Sequence, residues 1–413
     1  MNTVIPLETT GQDWANQLSH EGSGNGMLYL VALLAGKPDP QTLRAAAAEL
    51  VRLQPVLGCR FDENQDPPVW SPVANGEAYG EFRADDIRQG IDLLTQRKRA
   101  TGRQLEVVLL TTPEQSAVCL CLDHASTDGG GARRCLTLLA RCYQRCLTGL
   151  PAAERLSLDR SDAQVYVRCG LPDYRMTLRR EAPAAEPVTT MPYVGLDGRT
   201  VRYRWLSLPL SAMKRAEGTI NDRVLAAYAM ALSHACAEAR TVAIHMTIDL
   251  RRYLDAGTAP IACNLSGMAA VSLNVQPSDS FADVLAAVRE RTALLKAQHI
   301  GLSSAAMLTY LRGMPYRQAK GALLEASRKA AASGVSAPIL SNLGLLAPDR
   351  FAFGNATVVN VLPLLPAMRA PSFMLGVSGY GDTLTFAAGY YAEERPTEII
   401  EELLRDIRDA LAG

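Results

Sequence analysis

The sequence predicts a mixed α/β protein built as two lobes, and three observations favour this class. Of the 413 residues, 48% are apolar, which is enough to form two hydrophobic cores. Apolar and alternating runs typical of strands recur between helical segments, in similar proportion in each half of the chain. The pattern breaks down between residues 150 and 199, and residues 182–188 are rich in proline. We therefore divide the chain into an amino-terminal lobe (1–170), a linker or crossover (171–200) and a carboxy-terminal lobe (201–413).

The overall charge excludes several classes of function. The chain has 42 basic and 42 acidic residues, so no general field favours nucleic acid or an anionic membrane. No apolar run reaches the length of a membrane-spanning helix, and the first residues lack the features of a signal peptide. We expect a cytoplasmic monomer. Its nine cysteines are expected to be free thiols packed in the core, because no Cys-x-x-Cys pair suggests a metal site.

The first half of the chain is expected to begin with a strand and a capped helix. A glycine-rich segment at residues 22–26 leads into an apolar strand at 27–34. Asp39 and Pro40 then start a helix, since aspartate caps helices and proline suits the first helical position. Pro55 ends this helix, because the residue before a proline avoids helical geometry.

A predicted hairpin delivers a histidine into a turn. Its strands lie at residues 104–111 and 116–122, and the second is apolar throughout. His124 follows, and Asp128 with three glycines then opens a helix over residues 132–147. A histidine at the end of a central strand is held rigidly while its ring faces a crevice, as a general base requires. The glycines are expected to allow the turn through φ values that other residues avoid and by leaving room beside the backbone. A purely structural histidine is the other interpretation.

The second half contains two further histidines with structural interpretations. His234 lies on a strongly helical stretch that begins near Asn221, and His245 lies in an apolar strand, so we interpret them as packed or solvated side chains. The other predicted elements are strands at 202–208, 241–249, 268–275, 372–379 and 383–391 and helices at 280–299, 316–332 and 397–411.

The stretch from His124 to Gly129 resembles a family motif. His-Ala-Ser-Thr-Asp-Gly is similar to the His-x-x-x-Asp-Gly motif of the chloramphenicol-acetyltransferase-like superfamily. That group includes nonribosomal peptide condensation domains, plant BAHD acyltransferases, and bacterial alcohol and polyketide-associated acyltransferases. Many bacterial members have two histidines in a row, where this chain has Asp123 in the first place. Further segments that resemble the superfamily lie at residues 36–61, 221–227, 249–251, 263–267 and 341–344.

The resemblance implies a fold and a reaction. Two lobes, each an α+β two-layer sandwich, would meet in a V around a central tunnel with His124 at its middle. The enzyme would be an acyltransferase that moves an acyl group from a thioester to a hydroxyl or amine of a small-molecule acceptor, in secondary metabolism. The donor would be acyl-CoA or an acyl group on the phosphopantetheine arm of a carrier protein. No metal or redox cofactor is implied.

The resemblance also assigns roles to individual residues. The residues it selects are His124 as general base, Asp128, Gly129 and Arg251 as its support, and Ser341, Asn342 and Asn264 as contacts to the oxyanion or substrate. In the family an arginine pairs with the aspartate of the motif, so Arg251 would clamp Asp128 and fix the turn. Without the family, Arg251 would be a solvated loop charge, and residues 341–344 a turn closed by a side chain. Asp123 is expected to point away from the imidazole, because neighbours on a strand face opposite sides.

Two other functions stay open from the sequence. A free-standing condensation enzyme of the nonribosomal-peptide type would use the same chemistry with a donor bound to a carrier protein. A basic patch at one mouth of the tunnel would favour such a donor, but the arginines are scattered along the sequence. The second alternative is a non-catalytic relative that only binds a carrier protein or ligand. The missing first histidine leaves it open, whereas the intact motif residues and Arg251 argue against it.

Overall fold

A computed structural model describes residues 6–74, 76–97, 102–150, 158–178, 189–213, 217–236, 241–255, 259–276 and 278–412. Within these ranges the chain forms ten α-helices and fifteen strands. The helices are α1 (Gly11–Ser19), α2 (Pro40–Leu53), α3 (Ile87–Gln96), α4 (Gly129–Thr148), α5 (Ala163–Arg168), α6 (Ile220–Ala235), α7 (Phe281–Lys296), α8 (Leu302–Arg312), α9 (Tyr316–Ser333) and α10 (Thr397–Ala412). The strands are β1 (Leu7–Glu8), β2 (Met27–Ala35), β3 (Cys59–Asp62), β4 (Val69–Pro72), β5 (Tyr79–Arg83), β6 (Leu105–Thr111), β7 (Ser116–Asp123), β8 (Val201–Pro209), β9 (Thr241–Asp249), β10 (Ser266–Asn274), β11 (Ile339–Leu346), β12 (Ala352–Phe353), β13 (Ala356–Leu364), β14 (Met374–Tyr380) and β15 (Thr383–Tyr391).

The first of two six-stranded sheets contains the strand that leads to His124. Its strands lie in the order β12-β13-β2-β7-β6-β5, and β7 pairs antiparallel with both β2 and β6. Helices α2 and α4 pack on one face of this sheet, and α3 with strands β8 and β15 covers the other. Every residue of β7 is therefore buried, which explains why its sequence is a continuous apolar run rather than an alternating one.

The second six-stranded sheet contains the segment that carries Ser341 and Asn342. Its strands lie in the order β10-β9-β11-β14-β15-β8, and β11 runs parallel to both β9 and β14. Helices α6, α7 and α10 pack against this sheet and form a second hydrophobic core. Each sheet thus has its own core, as expected for two lobes.

One segment connects the two halves in a way that the sequence did not predict. Strands β12 and β13 come from the second half of the chain, yet β13 pairs with β2 of the first sheet. Phe353 and Val361 on these strands pack in the first core. Strand patterns indicate that a strand exists but not which strand it pairs with. The lobe boundaries at residues 170 and 201 stay a proposal. We assign β12 and β13 to the amino-terminal lobe. Residues 179–188 of the predicted linker lie outside the described residues.

Most cysteines pack in the interior as expected, but Cys146 on α4 is exposed, and Cys169 and Cys236 are partly exposed. All nine are free thiols, and six of them are buried. Burial raises the pKa of the Cys135 and Cys142 thiols to about 12, so they stay protonated and behave as small apolar side chains. Among the described residues, no helix is long and apolar enough to cross a membrane, and no cluster of side chains could hold a metal ion.

Candidate active site

His124 lies at the end of β7 beside a cavity between the two sheets. Its backbone N–H donates to the carbonyl of Gly26 at 2.9 Å, which fixes the start of the turn. The residue is half-buried, with Nδ1 enclosed by protein, and it lines a cavity of about 250 Å³. Leu28 of the first sheet and Thr247 and Ser341 of the second also line this space, which we call the His124 cavity. The imidazole is thus held by a buried strand but open to a ligand-sized space.

Close packing, not unusual backbone angles, explains the three glycines that follow. None of them has a positive φ, so the expectation of special φ values is wrong. A Cβ at Gly129 would lie 2.5 Å from the Leu343 side chain, and one at Gly130 would lie 2.6 Å from the Asp249 carboxylate. A Cβ at Gly131 would meet backbone carbonyl oxygens at 2.7 and 3.1 Å. The glycines therefore let the second half of the chain approach the start of α4.

A buried ion pair joins the His124 turn to the second half of the chain. Nη1 of Arg251 donates to both carboxylate oxygens of Asp128, at 2.9 and 3.0 Å, so a single nitrogen spans the carboxylate. The backbone N–H groups of Gly131 and Leu265 donate to the same carboxylate at 2.7 and 2.6 Å. Arg251 also donates to the carbonyl of Cys263 at 2.8 Å. Both side chains of the pair are at least 95% buried.

This environment keeps Asp128 charged. Burial alone would raise its pKa, but the Arg251 charge and the hydrogen bonds from Arg251, Gly131 and Leu265 together lower the pKa below its ordinary value. Asp128 is also the N-cap of α4, where the helix dipole favours a negative charge. Its carboxylate is fully used in fixing the turn, so it supports His124 through the backbone.

The His124 ring is neutral at physiological pH. Burial lowers its pKa, and the opposing effects of its own backbone and of the Asp128 and Asp123 charges do not restore the ordinary value. Nδ1 is buried and has no hydrogen-bond partner among the described residues. Nε2 is therefore the nitrogen available to accept a proton from a molecule in the cavity.

Asp123, which occupies the place of the family's first histidine, is held by its own contacts. Its carboxylate accepts a hydrogen bond from the Ala125 N–H at 3.0 Å and lies 3.0 Å from Nε2 of His20. The side chain is 87% buried, so these contacts hold Asp123 inside the protein at the start of the turn. His20 packs against Gly26, where a Cβ would lie 2.4 Å from the ring. This contact and a φ of 58° in the left-handed region together explain why position 26 carries a glycine.

Of the two residues at the predicted Ser-Asn segment, Ser341 has the freer polar group. Thr247 donates to Ser341 Oγ at 2.9 Å, so the hydroxyl proton of Ser341 is free to be donated into the His124 cavity. Asn342 also lines the cavity, but its amide donates to Asn221 at 3.1 Å and its oxygen accepts from the Gly344 N–H at 2.8 Å. Asn342 therefore shapes a β-bulge in β11. Its bond to Gly344 is the side-chain hydrogen bond that the interpretation of residues 341–344 as a turn had predicted.

The structure places Asn264 outside the His124 cavity, so its predicted contact to the oxyanion or substrate stays a prediction. This side chain is 99% buried and does not line that cavity. Its amide donates to the backbone carbonyls of His124 and Ala125, at 3.0 and 2.7 Å, and to Asp13 at 3.0 Å. Its oxygen accepts from Asn16 at 2.9 Å. Asn264 therefore holds the outer side of the turn, and its amide N–H groups are used in doing so.

Sequence reasoning missed a second buried ion pair next to the turn. Nη2 of Arg160 donates to both oxygens of Asp13, at 2.9 and 2.8 Å, and Nη1 donates to the carbonyl of Ser126 at 3.0 Å. The one available signal was Thr10-x-x-Asp13, a capping box that the structure contains at the start of α1. The turn is thus braced by two arginines from distant parts of the chain.

Comparison with known proteins finds similarity at the level of structure. No family model matches the sequence, and no curated protein matches it. The first condensation domain of the calcium-dependent antibiotic synthetase, solved with a substrate analogue, aligns over 100% of this chain and 98% of its own with a TM-score of 0.73 and 17% identity. The chain has the chloramphenicol-acetyltransferase-like fold.

Two other solved structures with the chloramphenicol-acetyltransferase-like fold cover almost the whole chain. The starter condensation domain of rhizomide synthetase, in complex with C8-CoA, has a TM-score of 0.68 and 16% identity over 99% of this chain and 96% of its own. The trichothecene 15-O-acetyltransferase of Fusarium sporotrichioides has a TM-score of 0.69 and 12% identity over 98% and 94%. The two-lobed fold class predicted from the sequence is confirmed, and at these identities the likeness speaks for the fold alone.

Proposed function

We propose that this protein is an acyltransferase that moves an acyl group from a thioester to a hydroxyl or amine of a small-molecule acceptor. One observation carries the proposal: the neutral imidazole of His124 faces a cavity between the sheets, at a turn braced by Asp128 and Arg251. A base with these properties needs neither a metal nor an added cofactor to remove a proton from an acceptor. A cytoplasmic, monomeric enzyme of secondary metabolism belongs to the same proposal.

The proposed reaction passes through a tetrahedral intermediate. Nε2 of His124 takes the proton of the acceptor hydroxyl or amine while the acceptor oxygen or nitrogen attacks the thioester carbonyl carbon. The carbonyl oxygen becomes an oxyanion, and its collapse breaks the carbon–sulfur bond. The imidazolium then gives its proton to the departing thiolate, which returns His124 to the neutral form. Both reactants are held together, so proximity replaces a covalent acyl-enzyme.

Ser341 is the proposed donor to the oxyanion. Its hydroxyl proton is left free by the hydrogen bond from Thr247, and it lines the same cavity as His124. A donor fixed in place before the reaction stabilises developing charge at little reorganisation cost. Asn342 is proposed to act indirectly, since its amide and its oxygen both hold β11 and α6 in place.

The donor is proposed to be acyl-CoA or an acyl group on a phosphopantetheine arm. The rhizomide synthetase domain with the same fold was solved with C8-CoA, which supports a CoA thioester as the cosubstrate here. The condensation domains among the structural neighbours support the second candidate, a free-standing condensation enzyme with a carrier-protein donor. A non-catalytic relative is disfavoured by the completeness of the contacts around His124.

A thiol-release assay tests the proposed function. Acyl-CoA and carrier-bound acyl thioesters are mixed with sets of alcohols and amines, and free thiol is measured with a chromogenic disulfide. We expect thiol release that depends on both donor and acceptor, with a matching mass for the ester or amide product. Equal thiol release with and without acceptors, across all donors, would identify a hydrolase or an inactive protein instead.

The acid limit of this activity should lie unusually low. The neutral imidazole is the active form, and burial lowers the pKa of His124 below 6.5, so activity is lost only as the pH falls through that lowered value. The rate should therefore be near its maximum at about pH 7. The measurement is kcat/KM against pH, with circular dichroism at each pH to separate titration from unfolding. A half-maximal rate at or above pH 7 would mean that His124 is charged in the folded enzyme.

A further inference from the structure

Four arginines lie along one face of α4, the helix that begins at the His124 turn. Arg133 and Arg134 lie near its inner end, with Arg141 and Arg145 farther along. Spacings of seven or eight residues and then four keep these side chains on the same side of a helix. At a rise of 1.5 Å per residue, Arg141 lies about 18 Å along the axis from Gly129. That length is on the scale of an extended pantetheine arm.

These arginines line hollows that follow one another outward from the His124 cavity. Arg133 lines both the His124 cavity and a hollow of about 430 Å³. Thr137 and Arg141 line this hollow and an outer one of about 600 Å³. Leu346 and Phe351 form part of the opposite, apolar wall. We call the two outer hollows together the α4 groove. One wall of the groove is apolar and could contact a flexible ligand chain, and the other carries the row of arginines.

The charge of the α4 groove is positive. Among the described residues that line it, Asp349 is the single acidic side chain. Within the described ranges Arg133, Arg134 and Arg141 form no ion pair with a carboxylate, and Arg133 donates to the carbonyl of Leu343 at 2.9 Å. Burial, and then the like charge of Arg251, lowers the pKa of Arg134, although the charges of Asp249 and Asp128 oppose this shift. Its Nε is buried without a hydrogen-bond partner among the described residues. A bound anion would relieve this repulsion.

A second large cavity backs onto the His124 turn and has a different character. Asn264 and Arg160 line this cavity of about 550 Å³ and donate to the carbonyls of His124 and Ser126 in the turn. Of its two arginines, Arg160 is engaged by the buried Asp13, and Arg312 donates to a backbone carbonyl. Its acidic lining residues are Glu8, Asp159 and Asp162. A phosphate group is better accommodated in the α4 groove.

We propose that the α4 groove is the entrance for the acyl donor, where Arg134 and Arg141 bind the phosphate end of a pantetheine arm while its thioester reaches His124. This inference rests on the proposed function. CoA and a carrier-bound phosphopantetheine arm share the chemistry, since each joins a phosphate to a flexible chain that ends in sulfur. Arginine recognises phosphate with paired N–H donors.

The test compares donors that differ in phosphate. The acyl group is presented as acyl-CoA, as a carrier-bound thioester and as acyl-pantetheine, which has no phosphate. For Arg141→Glu, kcat/KM for the phosphate-bearing donors should fall about tenfold more than kcat/KM for acyl-pantetheine, because a charged hydrogen bond is lost and a repulsion is added. Arg291→Glu, an exposed arginine on α7, is the matched control and should leave the preference of the wild type unchanged.

The outcomes separate the groove from the reaction. A loss of preference for acyl-CoA, for the carrier donor, or for both supports the groove and identifies the source of the arm. If Arg141→Glu and Arg134→Gln both keep the wild-type preference for phosphate-bearing donors and still turn over acyl-pantetheine, the groove proposal is wrong. The proposed function is then unaffected. If the wild type turns over neither acyl-pantetheine nor any phosphate-bearing donor, the proposed function fails, and the groove proposal fails with it.

Discussion

Arg251→Ala should destabilise the folded protein by about 3–5 kcal/mol, the usual cost of removing one partner of a buried ion pair. Asp128 would remain 97% buried with its charge, keeping the N–H donors of Gly131 and Leu265 but losing its cation. The carbonyl of Pro260 would lose its Arg251 donor, and the carbonyl of Cys263 would keep only the weaker bonds from Asp128 N–H and the Thr127 hydroxyl, at 3.3 and 3.4 Å. Because these contacts join β9 and the His124 turn, activity should fall together with stability.

The neighbouring arginine provides the matched control for this experiment. Arg252 is exposed, and its guanidinium lies over the Tyr253 ring at 5.8 Å. Arg252→Ala should therefore change the free energy of unfolding by about 0.5–1 kcal/mol or less. The measurement is urea unfolding of both variants and the wild type. If Arg251→Ala unfolded at the same urea concentration as Arg252→Ala, the ion pair with Asp128 would not brace the turn.

The His124 turn could be predicted because its signals are contiguous in the sequence. An apolar strand, a polar turn and a capped helix follow one another within about thirty residues, and each is governed by local chemistry. The helix begins at Gly129 and not at residue 132, because Asp128 is the cap and the glycines form the first turn. The reason for those glycines could not be predicted, since their neighbours, Leu343 and Asp249, are distant in the sequence.

Contacts between distant segments were predicted only where the family resemblance supplied them. Arg251 and Asp128 are 123 residues apart, and no local pattern connects them. The resemblance placed Asn264 near the site, but the direction of a side chain depends on packing, and this one points to the outside of the turn. Asp13 and Arg160 are 147 residues apart, and neither a local pattern nor the family resemblance indicated that they pair.

His124→Ala should lower the rate of acyl transfer by about 10²–10⁴, the contribution typical of a general base. The variant should fold, because the ring makes no hydrogen bond with good geometry among the described residues and the backbone bond to Gly26 does not involve the side chain. His245→Ala is the matched control. His245 is a partly buried histidine on β9, its pKa is also lowered by burial, and it does not line the His124 cavity.

The most direct test is the rate of acceptor-dependent thiol release at saturating donor and acceptor, compared among the wild type, His124→Ala and His245→Ala at equal folded concentration. We predict that the rate falls at least about a hundredfold in His124→Ala and stays within a few-fold of the wild type in His245→Ala. Turnover by folded His124→Ala at the wild-type rate would contradict the assignment of His124 as the base.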